Sequence, residues 1–119
     1  MVNTLLPGVF WMGFIFILSV IPDNFTKSIP YVMSDKIAHF IFYGITAVLL
    51  LIWLRVRMPG RRAVVLAVVL SSVYGFFIEV VQYFIPWRSF SMRDFAADVA
   101  GAVILSAIFI MISRRPTVR

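Results

Sequence analysis

Three ionisable residues and one amide stand inside runs of apolar sequence: His39, Glu79, Asp98 and Gln82. An imidazole beside carboxyl groups can exchange protons, hydrogen-bond a polar ligand or contribute to a divalent-ion site. Asp35, Lys36 and Tyr43 lie close to His39 in the chain, and Arg88, Arg93 and Asp94 lie close to Asp98. Residues four apart share a helix face. On that spacing Asp35, His39 and Tyr43 form one stripe, continued by Thr46. Ser72, Gly75, Glu79 and Tyr83 form a second, with Gln82 at its margin. Asp94, Asp98 and Gly101 form a third.

The elements that carry these stripes follow from composition. The 119 residues are 62% hydrophobic and 13% charged, and contain no cysteine. Mean hydropathy is +1.01. A soluble domain is about half apolar and about a quarter charged. So small a globule could not hide this much apolar surface from water. The numbers therefore exclude a soluble enzyme, a disordered chain and a disulfide mini-protein, and point to an all-α integral membrane protein. A spanning helix needs roughly 20 mostly apolar residues. Four segments qualify, about 5–21, 36–54, 63–85 and 95–112. They fill a single domain over 1–119, predicted as four transmembrane helices. The segment that opens the chain lacks a positive start and a small-x-small cleavage site, so it reads as a retained helix rather than a signal peptide.

Arg55, Arg57, Arg61 and Arg62 crowd one connection, and Arg114, Arg115 and Arg119 the C-terminal tail. The other side carries Lys27, Lys36, Arg88 and Arg93. Seven against four predicts both termini on the cytoplasmic side of the cell membrane. The formal charge of +6 speaks to this orientation rather than to nucleic acid. Helices 2 and 4 then start at the outer surface and helix 3 ends there. At 1.5 Å per residue His39 and Asp98 lie about 6 Å deep, and Glu79 about 10 Å before Pro86. Helix 1, without internal charge, closes one side. The predicted site is an outward-facing pocket built from His39, Glu79, Gln82, Asp98, Tyr43, Asp35 and Asp94, with Lys36, Arg88 and Arg93 at its mouth. The outward N-termini of helices 2 and 4 add unpaired N–H groups at this rim.

Plainer roles stand beside these. Ser91-Met92-Arg93-Asp94 has capping-box form and could simply start helix 4, and Asp35 suits the start of helix 2. Trp87, Arg88 and Arg93 suit an interfacial belt. One His with two carboxylates is a ligand set for a divalent ion. There is no second His and no HExxH pattern, so the sequence assigns no metal and no cofactor. Ile21-Pro22 before Asp35-x-x-x-His39, and Ile85-Pro86 before Asp94-x-x-x-Asp98, form a faint internal repeat, as two helical hairpins related by an axis along the membrane normal would give.

Asp35-Lys36-x-x-His39-Phe40-x-x-Tyr43, then Glu79-x-x-Gln82, Arg88 and Asp94-x-x-x-Asp98-x-x-Gly101 resemble the VanZ-like family of small bacterial membrane proteins. The resemblance covers about residues 34–106. It departs at Asp98, where the family pattern commonly has Asn; an acid there adds a titratable group. The resemblance implies a cell-envelope protein, and the family's namesake is associated with low-level resistance to the lipoglycopeptide teicoplanin. The leading expectation is a protein that binds or modulates a lipid-linked envelope component or a lipoglycopeptide among membrane lipids. The runner-up is a membrane enzyme acting on lipid phosphates or acyl groups, with His39 and Glu79 as acid and base. A third is a proton-coupled carrier, which with four spans requires a homo-oligomer.

Overall fold

The computed structural model describes residues 5–20, 35–86 and 92–113. These form four helices: α1 (Leu6–Val20), α2 (Asp35–Leu54), α3 (Gly60–Tyr83) and α4 (Met92–Ser113). No strand occurs among the described residues. Three helices are long and apolar enough to cross a membrane. Among the described residues α1 is a shorter apolar helix of 15 residues, about 22 Å long against a hydrocarbon core of roughly 30 Å.

The boundaries have local causes. Pro59, extended at φ −55° and ψ 147°, precedes α3, whose first turn therefore begins at Gly60 rather than Ala63. The α3 helix stops at Tyr83, before the expected Ile85. A residue preceding proline is pushed out of the α region, and the chain closes with Phe84 N–H on Val81 O and Ile85 N–H on Gln82 O ahead of Pro86. The α4 helix starts three residues earlier than its apolar run, because the polar turn with Asp94 is itself helical. A carboxylate there faces the positive end of the helix dipole.

Lipid offers no hydrophobic drive for helices to pair, so small residues that allow close contact decide which ones do. Ala63, Ala67, Ser71 and Gly75 run down the buried face of α3 at intervals of four. Gly101, Ala102 and Ser106 are the small residues on the buried face of α4. A methyl group added at Gly101 would strike the carbonyl of Phe40, and one added at Gly44 would strike the Leu105 side chain. The backbones of α2 and α4 therefore touch. At the end away from His39, Leu50, Leu51, Leu54, Ala63 and Ala67 form an apolar cluster.

The α1 helix packs on α2 and α3 and not on α4. Polar tethers hold it. Trp11 Nε1–H donates to Phe42 O at 3.0 Å, the Tyr74 hydroxyl to Met12 O, and Gln82 Nε2–H to Ser19 O at 3.3 Å. Its Phe10, Phe14 and Phe16 are exposed, as suits contact with acyl chains. An open groove lined by Pro7, Phe10, Trp11, Phe14 and Leu49 lies on this apolar face.

Candidate functional site

His39 is fifth in α2, Asp94 third and Asp98 seventh in α4, and Glu79 fifth from the end of α3. At 1.5 Å per residue all four lie within about 9 Å of the same end of the bundle. The α2–α4 contact at Phe40 and Gly101 sets how they meet, since these residues adjoin His39 and follow Asp98 by one turn.

His39 is the hub. Its Nδ1 lies 2.6 Å from Asp98 Oδ1 and 4.0 Å from Glu79 Oε2. Its Nε2 lies 3.7 Å from Asp94 Oδ2. Asp98 and Glu79 have no exposed surface, whereas His39 and Asp94 keep 16% and 15% of their side chains exposed. The cluster is closed below, and His39 and Asp94 are its more exposed members. With Nδ1 on Asp98, the edge bearing Nε2 faces Asp94 on the more open side.

Tyr43, one turn deeper on α2, stacks its ring on His39 with centroids 5.8 Å apart. Its hydroxyl is buried and, like Asp98 Oδ2, has no hydrogen-bond partner among the described residues. Gly75 gives Asp98 its room. A methyl group on Gly75 would meet the Asp98 carboxyl group. Ser71 Oγ donates to Tyr43 O at 2.8 Å and fixes α3 against α2 one turn below.

The structure therefore brings together His39, Glu79, Asp94, Asp98 and Tyr43. Gln82 is buried as part of the α3 face, but its amide turns to Ser19 of α1 instead of into the cluster. Tyr83 is 67% exposed and lies off the α3 stripe, which continues through Gln82. Arg93 is exposed at the start of α4. Asp35 and Lys36 open α2, and nothing further is described of their side chains; Arg88, Ile21 and Pro22 lie outside the described residues. Sequence reasoning missed the α1 tethers of Trp11 and Tyr74. Their acceptors are backbone carbonyls, which every residue carries, so residue type gave no signal.

The model of the VanZ/LLP1 family matches residues 4–113. The chain belongs to the VanZ/LLP1 family. The matched stretch takes in all four helices and the whole cluster around His39. An uncharacterised protein of the fission yeast Schizosaccharomyces pombe is 29% identical over 94 residues, covering 77% of this chain and 56% of its own. This chain thus spans a little over half of that relative's length. No solved structure matches it.

Chemically, the site pairs an oriented imidazole with three carboxyl groups from two other helices. Such groups are costly inside a membrane bundle, about 2.5–3.5 kcal/mol for an acid at a helix centre on insertion scales. Apolar residues of similar size would hold the same helices together at no such cost. Such an arrangement can hydrogen-bond a polar group or exchange protons, and its acceptor-rich lining disfavours deep entry of an anion.

Proposed function

We propose that this membrane protein resides in the cell envelope with both termini in the cytoplasm, and recognises the polar head of a lipid-linked component or a lipoglycopeptide at the outer leaflet. The carrying observation is the convergence of His39, Glu79, Asp94 and Asp98 at one end of the bundle, with His39 and Asp94 the more exposed members. His39 and Asp94 meet the head directly, while Glu79 and Asp98 set the polarity beneath. Amine, amide and hydroxyl groups suit this lining. Phosphate is held at the rim by Arg93 together with Lys36 and Arg88. The ligand's acyl part stays in the bilayer beside the exposed apolar faces.

The test is binding of lipoglycopeptide and of lipid-linked sugars to the protein in lipid nanodiscs. Glu79→Gln and Arg93→Ala are each expected to weaken binding at least tenfold in folded protein. Unchanged binding in both variants overturns the reading.

One observation favours a second reading. The Asp98–His39 contact leaves Nε2 on the open side, the geometry in which a carboxylate orients a histidine for proton transfer. On this reading the protein is an enzyme acting on lipid phosphates or acyl groups. Turnover of a lipid substrate that disappears in His39→Ala would establish it; no turnover across phospholipids and polyprenyl phosphates counts against it.

A further inference from the structure

The end of the bundle away from His39 carries a separate set of charges. Arg55 and Arg57 follow α2, and Arg61 and Arg62 open α3, around the turn at Pro59 and Gly60. All four are exposed. The acids of the chain are Asp23, Asp35, Glu79, Asp94 and Asp98, and none lies between Lys36 and Ile78. Glu79 stands about 28 Å along α3 from Gly60 at 1.5 Å per residue. Exposed charges in physiological salt are screened beyond about 8 Å, so the acids around His39 do not neutralise this turn. Among the described residues none of the four arginines makes an ion pair.

A count of positive charges alone serves to orient the chain. Two of these side chains are also held in fixed places, which orientation does not call for. The Arg57 guanidinium lies over the Trp53 ring, 4.4 Å from its centroid, and Nη1–H donates to Trp53 O at 2.7 Å. The Arg55 guanidinium lies over the Phe109 ring of α4, 5.4 Å from its centroid. Trp53 and Phe109 both pack against the apolar cluster of Leu50, Leu51, Leu54, Ala63 and Ala67, so the platforms are themselves anchored. A guanidinium laid on a ring keeps edge N–H groups for a phosphate, and a held fork loses less freedom on binding. The positive end of the α3 dipole, which has no side-chain cap, adds to the same field. Val56, Val65, Met111 and Ile112 are exposed on the adjoining turns. Apolar side chains at this level suit acyl chains rather than water, so an anion carried by a lipid fits the turn better than a soluble one.

We propose that the α2–α3 turn binds the head of an anionic phospholipid in the leaflet it faces. Arg55 and Arg57 engage the phosphate with their free edges, and Arg61 and Arg62 supply further positive charge. On the charge rule this is the cytoplasmic leaflet. The site lies at the opposite end from His39 and does not depend on what binds there.

The test is native mass spectrometry of the full chain in mild detergent, where orientation plays no part. Phosphatidylglycerol and phosphatidylcholine with the same acyl chains are titrated separately. Roughly tenfold tighter retention of phosphatidylglycerol is expected. Arg55→Ala combined with Arg57→Ala should cut that preference about fivefold or more. Arg114→Ala combined with Arg115→Ala removes the same charge from the C-terminal tail and should cut it less than about twofold. Arg57→Lys keeps the charge at an exposed position but loses the planar fork, and should weaken binding about threefold with no change in the thermal midpoint. Equal affinity for the two lipids overturns the proposal. So do equal losses in the two double variants, which would mean diffuse attraction without a site. Displacement of phosphatidylglycerol by inorganic phosphate at equal concentration overturns the lipid as source and points to a soluble anion.

Discussion

The α-carbon of Gly101 faces the backbone of Phe40 so closely that a methyl group there would overlap the Phe40 carbonyl. This contact between α4 and α2 is what allows Asp98 to reach His39. Asp98 precedes Gly101 by one helical turn, and His39 adjoins Phe40. The catalytic or binding potential of the polar groups therefore depends on a residue that has no side chain.

Gly101→Ala is expected to push α2 and α4 apart. Forced overpacking of this kind costs typically about 1–3 kcal/mol, and here the obstruction is backbone, which cannot rotate away. Thermal unfolding in detergent should show a lowered midpoint. An unchanged midpoint would mean that the helices are not in contact at this position.

Gly75→Ala has a more local target. Its new methyl group meets the Asp98 carboxyl group, which can turn, so the fold should persist while the Asp98–His39 contact lengthens. The imidazole nitrogen resonances of His39 should shift in NMR spectra of labelled protein. Spectra identical to the native ones would show that Asp98 does not fill the space above Gly75.

Asp98→Ala removes the acceptor beside a buried ring nitrogen. An unsatisfied buried donor costs about 1–3 kcal/mol. Asp98→Asn keeps a carbonyl acceptor in place, so it should retain most of the stability while losing the carboxylate. Comparison of the two by thermal unfolding checks this; equal losses would contradict the hydrogen-bonding role.

The tethers on α1 predict a separable effect. Tyr74→Phe and Trp11→Phe each delete one hydrogen bond to a backbone carbonyl, worth about 0.5–1.5 kcal/mol. Hydrogen exchange should quicken in α1 and stay unchanged at the start of α4. Loosening of both would show that α1 supports the cluster directly.

The chain contains no cysteine, so orientation can be read from single introduced thiols. Met58→Cys, in the basic turn, should react with an impermeant reagent only from the cytoplasmic side, and Arg93→Cys only from the opposite side. The reversed pattern would move the cluster to the inner surface.

The sequence made the cluster legible because ionisable groups are rare in membrane helices and their spacing fixes the face they occupy. That was enough to group His39, Glu79 and Asp98 at one depth. It was not enough to decide between Gln82 and Tyr83, which flank the Glu79 direction on either side. Packing against α1 settled the matter, because Ser19 offers Gln82 an acceptor and leaves Tyr83 outside. Asp94 reads from sequence equally well as a helix-start residue and as a site residue. In the structure it lies in the first turn of α4 and 3.7 Å from His39.

The account turns on His39 and Asp98 meeting inside the bundle rather than facing lipid. Solid-state NMR of the protein in bilayers, with labelled histidine nitrogen and aspartate carboxyl carbon, measures this directly. A dipolar coupling that puts His39 Nδ1 within hydrogen-bonding reach of the Asp98 carboxyl group, abolished by Asp98→Ala, is the expected result. No such coupling, together with contacts from His39 to lipid acyl chains, would contradict the account.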